Sequence, residues 1–382
     1  MKGNEINIIV TGDFCPHGRV EKLCLNGNYD NIYGDFLDIL RDKDISITNL
    51  ECPLISRPNP ITKCGPNLSA SPQCIKGIKH AQFDVVALAN NHIMDHGQSG
   101  LESTLLASKE AEIKTVGVGS NLESAAKILY LTVKNSTIAI LNFAEHEFSI
   151  ATSKSAGANP LDPVQNYYQV QQAKQNADIV LVIVHGGHQK YPLPSPRMVQ
   201  TYRYFVDLGA NAVIGHHTHC VSGYEIYNNV PIFYSLGNFI FDGDGRDNNW
   251  YEGYFVKFSI SNGIVKNIKL HPYTQCRNSA GIYPMTQQRK EQFLKDVNKY
   301  CDIIKNSDLN EQEWQNFCES HERGYLAALL SKGRVARRLL KFELFRNMIL
   351  KKNRLPCFLG IIRCEAHRDI AVRILEQIIA EK

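Results

Sequence analysis

Five short apolar stretches of this chain run directly into side chains that bind metals or transfer protons. They end at Asp13, at Glu51, at Asn91 with His92, at His185, and at the run Gly215-His216-His217-Thr218-His219. A buried strand that ends in such a residue delivers its side chain to the carboxyl edge of the sheet, where open α/β sheets bind ligands. Five strand ends of this kind predict a metal-dependent active site at one sheet edge.

The composition is typical of a globular protein with a large core. Of the 382 residues, 43% are hydrophobic and 21% are charged, and the mean hydropathy is -0.25. A net charge of +4 gives the whole molecule no strong electrostatic attraction for polyanions. Positive charge is concentrated in residues 332–354, which hold nine Lys or Arg and one acid, Glu343.

The cysteine pattern argues against a disulfide framework. The 11 cysteines are odd in number and contain no Cys-x-x-Cys pair, whereas secreted frameworks usually combine an even count with an export signal. The first strand candidate begins so close to Met1 that no signal peptide fits before it. No stretch approaches the ~18 apolar residues of a membrane-spanning helix. These observations predict a cytoplasmic protein with free thiols.

Apolar runs of strand length alternate with segments of helical period over most of the first 270 residues. This alternation predicts an α/β architecture with mostly buried strands. The predicted strands are 6–12, 45–50, 84–90, 137–143, 179–185, 211–215, 231–236, 253–260 and 264–270. The predicted helices are 33–42, 71–80, 97–111, 121–127, 164–176 and 196–208.

Three regions depart from that alternation. The last three strands follow one another without helices, and residues 261–263 (Ser-Asn-Gly) predict a hairpin turn, hence a second sheet or an antiparallel edge. Residues 52–70 carry four prolines and predict an irregular loop beside the site. Residues 286–382, rich in Lys, Arg, Glu, Gln and Leu, predict a basic helical extension after a domain of residues 1–285.

Carboxylates and amides supply the oxygen ligands of the predicted site. Asp13 and Glu51 can hold or bridge metal ions, although either could instead be a helix N-cap or a turn acid. The Asn91 carbonyl is a neutral ligand, and the adjacent His92 can protonate a leaving group; a lone Asn-His pair is otherwise a turn. Asn238 either binds substrate or a ligand carboxylate, or forms a structural turn.

Histidines supply the nitrogen ligands. His185 ends a strongly apolar run and is followed by two glycines, which allow close backbone approach to a ligand; His188 is a weaker candidate. His217 and His219 lie two residues apart, so on an extended segment they point the same way and can share one metal. His216 then points elsewhere, into the core or behind the ligands.

Together these blocks resemble the CapA family of poly-gamma-glutamate capsule biosynthesis proteins, whose fold is similar to that of calcineurin-type metallophosphoesterases. The matching segments, over roughly residues 5–245, are Gly12-Asp13 with Arg19, Asn49–Glu51, Ala89–Gly97, Val116–Gly119, His185–Gly187, Gly215–His219 and Tyr234–Asp242. The resemblance implies a two-sheet α/β sandwich flanked by helices, with a metal centre between strand ends. The metal ligands that it implies are Asp13, Glu51, Asn91, His185, His217 and His219. The catalytic residues that it implies are His92, as the general acid, with Asp95 and Arg19.

Two positions depart from the family pattern. Metallophosphoesterases usually carry a histidine two residues after the first aspartate, and this chain has Cys15 there. The family often has an acid shortly after the His185 motif, where this chain has Gln189. Loss of the first histidine reduces a two-metal site to one metal or changes its preference for a particular metal.

Two functions are compatible with these residues. One is a metal-dependent hydrolase acting on a phosphoester or on a linkage in a cell-surface polymer, with Mn, Fe or Zn preferred over Mg because of the many imidazoles. The alternative is a non-catalytic binding or scaffold subunit of a polymer synthesis and export assembly.

The basic segment 332–354 also allows two interpretations. Apolar residues recur in it at three to four residues, which permits an amphipathic helix docked on an anionic membrane surface or on the capsule-synthesis complex. The alternative is a helix packed on the catalytic domain with its Lys and Arg in water. No basic-aromatic groove motif accompanies the charge, so the sequence predicts no nucleic-acid partner.

Overall fold

The computed structural model describes residues 5–63, 65–243 and 247–330, with six further residues between 338 and 345. For residues 321–330 it describes the backbone. The chain divides into two compact units, Met1–Trp314 and Gln315–Lys382. Both large sheets, the apolar core and the candidate site lie in the first unit.

Strands and helices alternate along the first unit, as the sequence predicts. The strands are β1 (Ile6–Cys15), β2 (Ile45–Leu50), β3 (Val85–Ala87), β4 (Lys114–Val116), β5 (Val118–Gly119), β6 (Leu129–Val133), β7 (Ser136–Ala144), β8 (Gly157–Ala158), β9 (Ile179–His185), β10 (Ala212–His216), β11 (Tyr224–Tyr227), β12 (Val230–Phe233), β13 (Asn238–Phe241), β14 (Glu252–Ser261), β15 (Ile264–Gln275) and β16 (Ile282–Tyr283). The helices are α1 (Gly18–Leu25), α2 (Asp30–Tyr33), α3 (Leu37–Arg41), α4 (Ile75–His80), α5 (Gly97–Glu110), α6 (Leu122–Ala125), α7 (Pro163–Asn176), α8 (Pro196–Asp207), α9 (Gln287–Lys305) and α10 (Ser307–Leu330). Short 3₁₀ turns occupy Gly34–Phe36, Pro72–Cys74 and Asn248–Tyr251.

Two large sheets form the framework. The first has the order β16-β15-β14-β1-β2-β3-β4, with β13 also paired to β1. The second has the order β11-β12-β10-β9-β7-β6, and β5 pairs with β8 in a separate two-stranded sheet. Strands β1 to β4 are parallel, and so are β7, β9 and β10, so the candidate ligands of both sheets leave their strands at carboxyl ends.

The two sheets pack face to face through one apolar core. Alternate residues of β1 and β9, such as Ile8 and Val10 on the first sheet and Leu181 and Ile183 on the second, belong to the same buried cluster. This period of two is what a strand with one face toward the core requires. It also places His185, two residues after Ile183, on the inner face of the sandwich. The two-sheet α/β sandwich flanked by helices is thus confirmed.

Helices cover the outer faces. The outward residues of β1, such as Ile9, pack into a second cluster with α1 to α5, while α7 and α8 contact the second sheet. Both α7 and α8 begin with a capping residue followed by proline: Asp162 accepts from the Val164 amide, and Ser195 accepts from the Met198 amide. This N-terminal chemistry explains where these two helices start.

Several predicted elements have different bounds in the structure. The helix predicted over 33–42 is confirmed in part: it begins as the 3₁₀ turn Gly34–Phe36 and continues as α3. Gly34, with a positive φ of 48°, separates this stretch from α2. The strand over 84–90 is shorter, since the chain turns after Ala87 toward the site. The hairpin is confirmed: Asn262 and Gly263 have φ values of 52° and 72°, as a type I′ turn needs, and they join antiparallel β14 and β15.

The C-terminal part of the prediction is tested only in places. The boundary at residue 285 stays a prediction, and α9 lies within the larger compact unit because Phe293, Val297 and Cys301 pack into the core between the sheets. Most of segment 332–354 lies outside the described residues. Within the part of the chain that the structure describes, no helix is both long and apolar enough to cross a bilayer.

Candidate metal centre

A β-bulge in β1 aims Asp13 into the sandwich. Val10 pairs with Ile47, and Asp13 pairs with Asn49. Between these two pairs β1 contains one more residue than β2. The extra residue moves Asp13 from the outer face to the inner face of the sheet, as bulges beside active sites do. Asn49 then donates to Asp13 Oδ1 at 2.7 Å, which holds the carboxylate in place.

Glu51 stands at the middle of the site. It follows β2 directly, and its side chain is fully buried beside the Asp13 carboxylate. Among the residues that the structure describes, no donor lies within hydrogen-bond geometry of either carboxylate oxygen. Its Oε1 lies 3.5 Å from His185 Nε2 and 3.6 Å from His219 Nε2. A buried carboxylate without partners is costly unless a cation or another donor is supplied. The site therefore fits a divalent metal ion bound to the Glu51 carboxylate.

Glu51 belongs to two groups of side chains that could hold a metal. One group is Glu51, His185 and His217, and the other is Asp13, Glu51 and His219. The ligand atoms within each group lie within 4.8 Å of one another, and all are buried. A carboxylate shared by two groups of candidate ligands would suit two metal ions, one held by each group.

The His185 group gains a further oxygen from Asn91. His185 Nε2 lies 3.0 Å from Asn91 Oδ1 and 3.0 Å from His217 Nδ1. Asn49, which also holds Asp13, lies 3.1 Å from the other ring nitrogen of His185. Three ligand atoms from three different strand ends thus converge beside Glu51.

The chain turns sharply after β10 instead of running extended. His217 and His219 have φ values of 93° and 56°, in the left-handed region that non-glycine residues seldom adopt. The premise that both lie on an extended segment is therefore wrong, although both still reach Glu51. Such backbone costs on the order of 1–3 kcal/mol per residue and is concentrated at functional sites. His216 points away, with Nε2 2.9 Å from the Thr11 carbonyl oxygen.

Asn238 orients His219. Its Oδ1 lies 2.9 Å from His219 Nδ1, and its amide nitrogen donates to the Trp250 carbonyl at 3.2 Å, which fixes the amide orientation. His219 Nδ1 is therefore the protonated nitrogen, and Nε2 is left to face Glu51. Asn238 was predicted either to bind substrate or a ligand carboxylate, or to form a structural turn. Its side chain in fact contacts a candidate metal ligand, and that ligand is the His219 imidazole.

Burial sets the protonation of the site. The pKa of Glu51 is raised well above its usual value, first by burial and then by the negative charge of Asp13. Burial lowers the pKa of His185 well below its usual value, helped by the neighbouring His217, and lowers that of His219 to about 4. The histidines are thus neutral at pH 7, as metal ligation requires.

His92 is held by Asp95 at the edge of the site. His92 Nδ1 lies 2.6 Å from Asp95 Oδ2, so His92 donates its Nδ1 proton and presents Nε2. Lys63 pairs with Asp95 Oδ1 and lies 3.2 Å from His92 Nδ1, with only 3% of its side chain exposed. The three side chains form a compact cluster behind the His92 ring.

Arg19 is bound to Asp242 in a two-pronged ion pair. Its Nε and Nη2 donate to Asp242 Oδ1 at 3.0 and 2.7 Å, and Nη2 also meets the Cys276 carbonyl. Asp242 lies one residue beyond β13, so the pair ties the start of α1 to that strand. These contacts describe an architectural link, and the catalytic role of Arg19 stays a prediction.

The positions that depart from the family pattern do not join either ligand group. The Cys15 thiol is fully buried and hydrogen-bonds with Cys52, and burial raises its pKa well above the usual value. Gln189 is exposed. The ring of His188 packs against Trp314 with centroids 4.6 Å apart.

Two residues that the sequence patterns missed lie at the site. Lys63 comes from the proline-rich loop, where no local pattern marks a single lysine as functional. Glu147 comes from the loop after β7, and its Oε1 lies 3.6 Å from His217 Nε2. The apolar run of β7 followed by Glu145 and Glu147 was the available signal, since it repeats the strand-then-acid pattern of β2.

Comparison with known proteins identifies relatives over the part of the chain that builds this centre. Residues 7–243 match the family described as "Bacterial capsule synthesis protein PGA_cap". The chain is 32% identical to "Capsule biosynthesis protein CapA" of Bacillus anthracis over 250 residues, covering 63% of this chain and 61% of that protein. It is 34% identical to "PGA biosynthesis protein CapA" of Bacillus subtilis (strain 168), covering 60% and 62%.

Among solved structures, a sulfate thiohydrolase SoxB from Thermus thermophilus matches with a TM-score of 0.41 and 11% identity, covering 72% of this chain and 46% of that one. This chain thus spans about three fifths of the length of the two curated relatives. The family match includes every candidate ligand from Asp13 to His219. The chain therefore belongs to the bacterial capsule synthesis protein family PGA_cap.

Proposed function

We propose that this chain is a metal-dependent hydrolase of the phosphoesterase type that acts in the biosynthesis of a capsule or another cell-surface polymer. The observation that carries the proposal is the buried Glu51 carboxylate, which belongs to two groups of candidate ligands and has no hydrogen-bond donor in the described part of the chain. The imidazole nitrogens of His185 and His219 lie 3.5 and 3.6 Å from Glu51 Oε1, which is longer than a hydrogen bond. Such a spacing supports a cation between these groups.

The proposed ligands fall into two sets that share Glu51. Asp13 and His219 lie on one side, and Asn91, His185 and His217 on the other. A bound divalent metal would supply Lewis acidity and a nucleophilic water near neutral pH. Mixed carboxylate, amide and imidazole ligands favour Mn, Fe or Zn over Mg.

His92 is proposed as the general acid. Its Nδ1 proton is committed to Asp95, so Nε2 is the nitrogen that exchanges a proton with a leaving group. Asp95 accepts from three directions: from His92, from Lys63 and from the Leu68 amide at 2.6 Å. This environment holds the imidazole in one orientation, which is what proton transfer in the transition state requires.

The substrate is proposed to be a phosphoester or an acyl linkage in a polymer of the poly-gamma-glutamate type. The two Bacillus relatives are named for capsule biosynthesis and for PGA biosynthesis. We propose further that the chain works in the cytoplasm or at the membrane periphery, with segment 332–354 contacting the membrane or the synthesis complex.

The test is a phosphoester substrate panel run on the metal-loaded protein and its His92→Ala variant. We expect the variant to lose activity by about 10²–10⁴-fold while keeping its metal, because a general acid contributes about that much. His80→Ala is the matched control, since His80 pairs with Asp30 on the surface. If His92→Ala restores polymer output fully in a cell lacking the protein, the scaffold alternative is correct and the hydrolase proposal is wrong.

A further inference from the structure

The loop between β7 and β8 places a carboxylate beside one half of the metal centre. Glu147 Oε1 lies 3.6 Å from His217 Nε2, and Glu147 Oε2 accepts from the Asn91 side-chain amide at 3.3 Å. Both contacted residues belong to the His185 side of the centre.

The loop is attached to the backbone of two proposed ligands. On one side of Glu147, the Glu145 amide donates to the His185 carbonyl at 3.0 Å. On the other side, the Ser149 hydroxyl donates to the Asn91 carbonyl at 2.7 Å. Glu147 is 39% exposed, yet its position relative to the ligands is fixed from both ends. The loop that carries its carboxylate is therefore anchored to the ligands on both sides of Glu147.

The side chains of His217 and Asn91 each carry two heteroatoms, one near His185 and the other facing Glu147. The atoms near His185 Nε2 are His217 Nδ1 and Asn91 Oδ1, both at 3.0 Å. The atoms that face Glu147 are the other two, His217 Nε2 and Asn91 Nδ2. An ionised carboxylate only accepts, so Glu147 takes the N–H of the Asn91 amide at 3.3 Å. At 3.6 Å from His217 Nε2 the contact is electrostatic, and the negative charge favours N–H over a lone pair on that nitrogen. The lone pairs are then left on the inner atoms.

We propose that Glu147 is a positioning carboxylate of the metal centre, which orients His217 and Asn91 so that Nδ1 and Oδ1 face the same ion. The proposal rests on the metal centre put forward above. It parallels the contact between Asn238 and His219 on the other side, but with a charged acceptor. Outer carboxylates of this kind raise the basicity of a ligating imidazole. Removing the Glu147 carboxylate should therefore weaken the binding of an ion by the His185 side.

The experiment titrates Mn²⁺ and Zn²⁺ into the full-length chain by calorimetry. A His219→Ala background removes one ligand of the Asp13 side, so that binding to the His185 side is measured alone. In that background we expect Glu147→Ala to weaken binding by about 10–100-fold. Glu147→Gln keeps one hydrogen-bond acceptor at this position. Its metal affinity should therefore lie between that of the His219→Ala background and that of Glu147→Ala in the same background. Loading with Co²⁺ should give a visible spectrum that Glu147→Ala alters and Glu147→Gln partly restores.

Glu145→Gln is the matched control. It removes the same charge two residues away, where the carboxylate accepts from the Gly187 amide at 2.9 Å and pairs with Arg197. Its affinity should stay near that of the parent. Equal affinities for the parent and Glu147→Ala, or equal losses in Glu145→Gln and Glu147→Ala, overturn this proposal and leave the metal centre standing. A parent protein that takes up no ion overturns both, and the first titration reveals that case.

Discussion

Asp95 Oδ2 lies 2.6 Å from His92 Nδ1, and the same oxygen accepts from the Leu68 amide at 2.6 Å. The aspartate therefore connects the proposed general acid to the proline-rich loop 52–70. Its backbone carbonyl also accepts from the Ile61 amide, and its Oδ1 holds Lys63. One buried carboxylate thus fixes both the imidazole and the wall of the site beside it.

Replacing Asp95 by Asn should release that loop. The change leaves the buried Lys63 ammonium without its countercharge, and breaking a buried pair in this way costs about 3–5 kcal/mol. We expect faster amide hydrogen exchange at Ile61 and Leu68 and a lower free energy of unfolding. Asp95→Asn together with Lys63→Met should recover part of that free energy, and an unchanged exchange rate in the single variant would contradict the role of Asp95 in the loop.

Replacing Glu51 by Gln should stabilise the metal-free protein. Glutamine keeps two polar atoms at this buried position but cannot ionise, so the variant avoids the cost of a buried charge at any pH where Glu51 loses its proton. Because its pKa is raised, the folded protein binds more protons than the unfolded chain above the ordinary Glu range, and stability falls as pH rises through that window. Denaturant unfolding in a chelator between pH 5 and 8 should show this fall in the parent and a flatter profile in Glu51→Gln.

His271 should weaken the fold in acid, independently of the metal. It stacks on Phe255 with centroids 4.6 Å apart, and burial with the nearby Lys269 lowers its pKa to about 4. Below its usual value near 6.5 the unfolded chain takes up the proton first, so stability falls as pH drops toward 4. We expect a loss on the order of 2–3 kcal/mol, absent in His271→Phe. Parallel pH profiles for the two proteins would exclude this effect.

Gly12 should tolerate no side chain. A Cβ at Gly12 would collide with the Gly237 carbonyl oxygen, which also accepts from the Asp13 amide at 3.2 Å. Gly12→Ala is therefore expected to displace the end of β1 and lower the melting temperature by several degrees. Gly77→Ala, where the nearest atom to an added Cβ is the Cys24 sulfur at 3.3 Å, is a control for chain entropy. A Gly12→Ala protein with unchanged stability and metal content would contradict this contact.

The sequence was sufficient to predict which residues lie at the strand ends. It was not sufficient to predict the backbone structure around them. Asp13, Glu51 and His185 were identifiable because each follows a buried apolar run, a local pattern. The β1 bulge was not, because it depends on the pairing of Asp13 with Asn49 across two strands. The left-handed backbone at His217 was missed for the same reason, since tertiary contacts impose it against the residue's own preference.

Side chains delivered by loops were the largest omission. Lys63 and Glu147 stand in irregular segments, where no periodicity relates a residue to the sheet edge it reaches. Short elements such as β5 and β8 were also missed, because two-residue strands carry no alternation to detect. Hydrophobic periodicity therefore predicted the framework, while contacts distant in sequence determined the loops around the site.

The most direct test of the account is the metal content of the purified protein compared with that of Glu51→Gln. Elemental analysis after reconstitution with Mn²⁺, Fe²⁺ or Zn²⁺ should give up to two ions per parent chain, because Glu51 serves both ligand groups. Glu51→Gln should lose most of that metal while remaining folded. A parent that binds no metal, or a Glu51→Gln protein that binds as much as the parent, would contradict the central claim.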